Sequence, residues 1–240
     1  MISSRQTILD RLAGVVSQSP ADREPSQLVP GVLQTQDTTP AALIERFTKA
    51  LDKLSVTWEV AENPIVARLK LVSGLKEGGV QRLLTWSADE LPVGGILEAL
   101  EVLGIATMTP DLRVLPVKLR PQDPPGRAEL LASMETVEIG ITGADAAIAE
   151  TGTLFIAGGV GRPLLVSQMP RQHRVLLPAS RLYPTIESWL AAQRLAEPAQ
   201  RRVGSLTALT GVSRSRDIEL HPSVGVHGPR RRHVIIVQGI

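Results

Sequence analysis

The chain has 240 residues, of which 43% are hydrophobic and 21% are charged, and this balance excludes a disordered chain. It contains no cysteine, which excludes disulfides and cysteine-ligated iron–sulfur or zinc sites within this chain. The longest segment without charge, residues 25–36, is shorter than the roughly 18 residues that a membrane helix needs. Charges at Arg5, Asp10 and Arg11 interrupt any run resembling a signal peptide. We therefore expect a cytoplasmic protein without a membrane span.

The net charge of +2 is distributed unevenly. Residues 201–240 contain seven arginines but only two acids, Asp217 and Glu219. Such a basic end either forms a solvated surface or holds an anion or an acidic partner. No aromatic residue lies among these arginines to stack on bases, so nucleic-acid binding is not predicted.

Residues 1–38 are predicted to be a helical arm and a linker. Ser3 and Gln6 resemble a capping box, and a polar segment with three prolines follows the apolar helical pattern. A domain is predicted over residues 39–240, beginning with a helix that Thr39 caps and Pro40 opens.

Apolar runs in the rest of the chain alternate between the spacing of helices and that of strands. Further helices are predicted at residues 93–103 and 182–195, the second with Ile186, Trp189 and Leu190 facing inward. Strands are predicted at residues 56–60, 82–86, 136–141, 153–157, 174–177 and 233–237. This alternation predicts an α/β fold, with a mostly parallel sheet covered by helices on both faces. Ligands of such sheets bind at the carboxyl ends of the strands.

The segment GITGADAAIAETGTL, residues 140–154, carries the most informative pattern, because glycines and polar residues stand between its apolar positions. The glycines permit a positive φ or a close backbone approach. We expect this segment to line a ligand site at the end of a strand with Gly143, Asp145, Glu150, Thr151, Gly152 and Thr153.

A glycine-rich turn follows, with Gly158, Gly159 and Gly161 preceding Arg162. Backbone amides in such a turn can form an anion-binding nest that a nearby cation completes, although glycines also serve simply to turn the chain. The prediction is a small anionic ligand beside this turn.

Together with two tail elements, this pattern resembles the lactate-utilisation (LUD) domain family, over roughly residues 39–237. The tail elements are residues 211–219, GVSRSRDIE, and residues 225–229, GVHGP. Within the family, the chain is similar to the C subunits of bacterial L-lactate utilisation systems. Val212 and Arg216 stand where members usually have proline and alanine, whereas Gly211, Ser213, Arg214 and Asp217 follow the family pattern.

The resemblance implies a fold like that of ribose-5-phosphate isomerase and the CoA transferases. It also implies a role in oxidising L-lactate to pyruvate beside partner subunits that carry iron–sulfur clusters, with no cofactor in this chain. The alternative is an autonomous acyl- or CoA-transferring enzyme, or a binder of a small anion, that uses Glu150. A fold alone does not decide between them.

Two carboxylates have open roles. Glu150 is either a nucleophile or general base, or an acceptor of hydrogen bonds from the amides of its turn. Asp145 either accepts a ligand hydroxyl or caps the local backbone.

In the tail, His227 is expected either to contact a substrate carboxylate and move a proton or to hold its loop closed. Arg214 either pairs with Asp217 or faces an anion. Arg230, Arg231 and Arg232 are expected to face solvent. The four histidines have no zinc-binding spacing, so no metal is predicted.

Overall fold

The computed structural model describes residues 5–6, 9–11, 37–110, 124–195, 205–216 and 222–240. The chain divides into two compact units, residues 1–37 and residues 38–240. In the first unit, residues 5–6 and 9–11 are helical. Within the described residues, no helix is long and apolar enough to cross a membrane.

The second unit contains six α-helices, two sheets and a hairpin among its described residues. The helices are α1 (Pro40–Lys53), α2 (Pro64–Glu77), α3 (Ile96–Val102), α4 (Pro124–Glu135), α5 (Leu165–Gln168) and α6 (Ile186–Leu195). The first six strands are β1 (Thr57–Ala61), β2 (Arg82–Thr85), β3 (Ala106–Met108), β4 (Ile139–Gly143), β5 (Ala146–Ile148) and β6 (Thr153–Gly158). The others are β7 (Gln172–Pro178), β8 (Leu182–Tyr183), β9 (Ser205–Thr210), β10 (Arg214–Arg216), β11 (Pro222–Val224) and β12 (Arg231–Val237).

The large sheet has six parallel strands in the order β1-β12-β7-β4-β2-β3. This confirms the predicted α/β class, and β4 lies in the interior of the sheet. A smaller sheet, in the order β8-β5-β6-β9, is antiparallel except between β5 and β8. The sequence did not predict this second sheet. Strands β10 and β11 form a separate antiparallel hairpin.

Both faces of the large sheet are buried. Val175 and Leu177 of β7 belong to a core that includes apolar residues of α1 and the small sheet. Leu176, between them, belongs to a second core with residues of α2 and α3. Successive side chains of a strand point to opposite faces, so the apolar run of β7 fills both cores.

Helix α1 begins as predicted, because the Thr39 hydroxyl accepts a hydrogen bond from the Ala42 amide at 3.4 Å and Pro40 follows. Helix α2 begins in the same way, with the Asn63 side chain accepting from the Val66 amide at 3.0 Å. The apolar pattern did not predict α2, since two of its apolar residues, Ile65 and Leu69, are exposed and blur the single buried stripe expected of a helix.

The predicted helix over residues 182–195 was wrong in its first turn. Leu182 and Tyr183 are strand β8 because they pair with Ala147 and Ile148 of β5, and the helix begins at Ile186. Of the three residues expected to face inward, only Trp189 is buried, and it stacks on Phe155 with ring centroids 4.2 Å apart. Ile186 and Leu190 are exposed.

Candidate functional site

The predicted site residues of the GITGADAAIAETGTL segment lie at the two ends of one hairpin. Asp145 precedes β5, and Glu150 lies in the turn that joins β5 to β6. The two carboxylates are therefore at opposite ends of β5. Gly143 is buried at the end of β4, on the side of Asp145.

Asp145 and Arg162 form a closely bonded ion pair beyond the carboxyl end of β4. Arg162 Nη2 lies 2.5 and 2.6 Å from the two Asp145 carboxylate oxygens. The Ala157 amide also donates to Asp145, at 2.7 Å, and the Arg162 guanidinium lies 4.4 Å from the centre of the Trp86 ring. Because Asp145 and Trp86 hold the guanidinium, this pair cross-links β2, β5 and β6.

The glycine-rich turn closes on itself. The Gly159 amide donates to the Arg162 carbonyl at 3.2 Å, and the Arg162 amide donates to the Gly159 carbonyl at 3.1 Å. Gly161 has a positive φ of 70°, and its carbonyl accepts from the Ser87 amide at 2.9 Å. Gly158 ends β6. Two of the amides predicted to form an anion nest are thus occupied within the turn, and anion binding here stays a prediction.

At the other end of the hairpin, Glu150 is exposed and its amide donates to the Pro184 carbonyl at 3.2 Å. The hydroxyls of Thr151, Thr153 and Thr210 form a chain with spacings of 2.8 Å. Gly152 has a φ of 68°, and a Cβ there would lie 2.8 Å from Leu54 Cδ1, so this position requires glycine. The threonines and Gly152 fasten the hairpin turn to β9 and to the end of α1.

The tail residues of the family pattern lie near this end of the hairpin. Arg214 Nη2 donates to the Leu54 carbonyl at 3.3 Å and to the Ser55 hydroxyl at 3.2 Å, which places a cation at the C-terminus of α1. The Ser213 hydroxyl accepts from the His227 amide at 3.3 Å. The imidazole of His227 is exposed.

These tail residues line a cavity of about 370 Å³, which we call the tail cavity. Ligand pockets span roughly 300–1,000 Å³, so this one suits a small molecule. Its walls are Ser167, Gln168, Ala208, Leu209, Thr210, Gly211, Val212, Ser213, Arg214, His227, Gly228, Pro229 and Arg232. The structure places Arg214 and His227 together there, apart from Asp145, Glu150 and Arg162, which do not line this cavity.

Arg232 and His173 form a buried polar pair beside the tail cavity. Arg232 is only 4% exposed, and His173 is fully buried. Arg232 Nε donates to His173 Nδ1 at 3.3 Å, and Nη1 donates to the Gly211 carbonyl. Since Nδ1 accepts, the assigned tautomer has its proton on Nε2, which donates to the Thr142 hydroxyl at 2.9 Å.

Burial is the main cause of the unusual protonation equilibria of this pair. It lowers the pKa of His173 well below its ordinary value, and the charge of Arg232 lowers that pKa further. Burial also lowers the pKa of Arg232 to about 10. At neutral pH, Arg232 is therefore a cation held by an uncharged histidine.

The expectation that Arg232 faces solvent was wrong, whereas Arg230 and Arg231 are exposed. The alternation of side chains along β12 indicates the burial of Arg232, because it puts Arg232 on the same face of the strand as Val234 and Ile236. Both of those residues are fully buried.

Asp217 lies outside the described residues, so its predicted pairing with Arg214 stays a prediction. The part of the chain that the structure describes contains no group of three or more histidine, aspartate or glutamate side chains arranged to hold a metal ion.

The fold is similar to a solved structure, the crystal structure of a DUF162 family protein from Deinococcus radiodurans. The two share 21% sequence identity with a TM-score of 0.54, and the match covers 84% of this chain and 99% of that one. This likeness supports the fold alone.

Among curated proteins, the chain is similar to Lactate utilization protein C of Halalkalibacterium halodurans, with 36% identity over 110 residues. The protein of the same name from an Exiguobacterium species is 37% identical over 106 residues. These matches cover 45% and 43% of this chain, and the chain spans about half the length of the relatives, 48% and 45%. Residues 44–237 match the model of the LUD domain. The chain belongs to the LUD domain family.

Proposed function

We propose that this protein is a component of an L-lactate utilisation system, and that the tail cavity is its ligand site. The observation that carries the proposal is a cavity lined by described residues of both tail elements, with Arg214, His227 and Arg232 on its wall. The similarity to proteins named Lactate utilization protein C supports the choice of pathway.

Oxidation of L-lactate to pyruvate removes two electrons and two protons, and the electrons need an acceptor. This chain has no cysteine with which to hold an iron–sulfur cluster. The proposal therefore assigns the electron carriers to partner subunits with iron–sulfur clusters and assigns binding of a small ligand to this chain.

Deletion of the gene tests the proposed pathway. The deletion strain is expected to lose growth on L-lactate and to keep growth on pyruvate, because pyruvate enters metabolism after the affected step. Undiminished growth on L-lactate, in a strain without a second copy of the gene, would contradict the proposal.

The partners are tested separately by purifying the tagged chain from lactate-grown cells. We expect it to retain other proteins that contain iron and acid-labile sulfide. Isolation of the chain without any such protein, under conditions in which lactate oxidation is intact, would remove the iron–sulfur partners from the proposal.

A further inference from the structure

The guanidinium of Arg232 is a buried positive charge with uncharged partners. Its hydrogen bonds go to His173 and to the Gly211 carbonyl, and no carboxylate among the described residues pairs with it. Buried arginines are otherwise found almost only in ion pairs, because removing a charge from water is costly. The buried charge therefore lacks a compensating anion within the described part of the chain.

Arg232 lines the tail cavity, and its two hydrogen bonds leave one terminal nitrogen of the guanidinium unused. The two hydrogen bonds use Nε and Nη1. Within the described residues, no acceptor is bonded to Nη2. Since His173 is fastened in turn to Thr142 at 2.9 Å, the guanidinium is held in one orientation before any ligand arrives.

The cavity wall has the charge and the polar groups of an anion site. Arg214 and His227 add two exposed groups at its rim, and none of the described residues that line it is acidic. Ser213 and Gln168 also line the cavity and provide a hydroxyl and an amide for a second polar group of a ligand.

We propose that the tail cavity binds a small monocarboxylate whose carboxylate pairs with the guanidinium of Arg232. A monoanion matches the single buried charge, and the small volume matches a short carbon chain. The choice of L-lactate and pyruvate as ligands rests on the proposed function, whereas the demand for a counter-anion comes from Arg232. His173 is then a positioning residue that acts through Arg232.

Binding to the purified full-length protein tests the proposal by calorimetry at constant ionic strength. Pyruvate, L-lactate and propionate are the carboxylate probes, and inorganic phosphate is the competing class of anion. We expect saturable binding of the carboxylates, with a preference over phosphate. Replacement of Arg232 by Gln should weaken it roughly 10- to 100-fold, since a hydrogen bond to a charged group is lost.

Arg231→Gln is the matched control, because it removes the same charge from the adjacent, exposed residue on the other face of β12. It should bind as the wild type does. Arg232→Lys keeps the charge but loses the planar guanidinium, so its carboxylate affinity should lie between those of the wild type and Arg232→Gln. It also provides a second variant if Arg232→Gln does not fold.

Absence of saturable carboxylate binding by the wild type would overturn the inference, as would tighter binding of phosphate or equal losses in Arg231→Gln and Arg232→Gln. The growth test separates the two proposals. Carboxylate binding without a growth defect contradicts only the lactate role, and a growth defect without carboxylate binding contradicts only the monocarboxylate site.

Discussion

Replacement of Asp145 by Ala should destabilise the protein substantially, because this side chain accepts hydrogen bonds from two elements. The bonds from Arg162 are charge-assisted, and such bonds contribute about 1.5–3 kcal/mol. The Ala157 amide would also lose its partner, at a cost of about 1–3 kcal/mol if it stays buried. The Asp145 and Arg162 side chains are 26% and 20% exposed, so solvent screens part of this gain.

We therefore expect a loss of about 3 kcal/mol in the free energy of unfolding. For a unit of this size, that corresponds to a Tm lower by roughly 6–12 °C. Differential scanning calorimetry measures the shift, with Glu150→Ala as the control, because it removes an exposed carboxylate from the same hairpin.

A double-mutant cycle identifies the partner. Arg162→Ala should cost much less in the Asp145→Ala background than in the wild type, with a coupling free energy above about 1 kcal/mol. Additive effects, or an Asp145→Ala Tm within about 2 °C of the Glu150→Ala control, would refute the structural role of this pair.

Three further predictions concern other positions. Burial lowers the pKa of His173, so below pH 6.5 the unfolded chain binds a proton at this residue that the folded protein does not. The contribution of the neutral His173 to the free energy of unfolding is therefore complete above pH 6.5. It is lost as the pH falls, by up to about 1.4 kcal/mol per pH unit. Urea unfolding between pH 7 and 5 should therefore show a shallower pH dependence in His173→Gln, and an unchanged slope would contradict this. A Cβ at Gly140 would lie 2.0 Å from the Val166 carbonyl oxygen, so Gly140→Ala should cost about 3 kcal/mol or more in urea unfolding, whereas Gly94→Ala, with open space around it, should cost little. Glu150→Gln should keep wild-type growth on L-lactate; a loss of growth together with CoA-ester exchange activity in the wild type would favour the acyl-transfer alternative.

Five of the six strands of the large sheet could be predicted from the sequence because they are short apolar runs between helical patterns, whereas the short edge strand β3 was missed. β12 and β7 are buried on both faces, and this produces the continuous runs from which they were predicted. The small sheet was missed for a physical reason. Its strand β5 has three residues and β8 only two, so they form through pairing with neighbours rather than through a pattern of their own.

The candidate site was predictable only in part. Arg214 and His227 line a cavity that Asp145, Glu150 and Arg162 do not share. That Asp145 holds Arg162, 17 residues further along, depends on the folded hairpin and turn and is not visible in the sequence pattern. Arg232 was expected to face solvent because the three arginines directly precede the predicted last strand, residues 233–237. Its burial depends on the position of β12 between β1 and β7, which is a property of the assembled sheet.

Growth complementation is the most direct test of a ligand site in the tail cavity, because it measures the cavity and the lactate role together. The deletion strain would carry the wild type, Arg232→Gln or Arg231→Gln, with equal protein levels checked by immunoblotting. We expect the wild type and Arg231→Gln to restore growth on L-lactate and Arg232→Gln not to restore it, while all three strains grow on pyruvate. Full restoration by Arg232→Gln would contradict it.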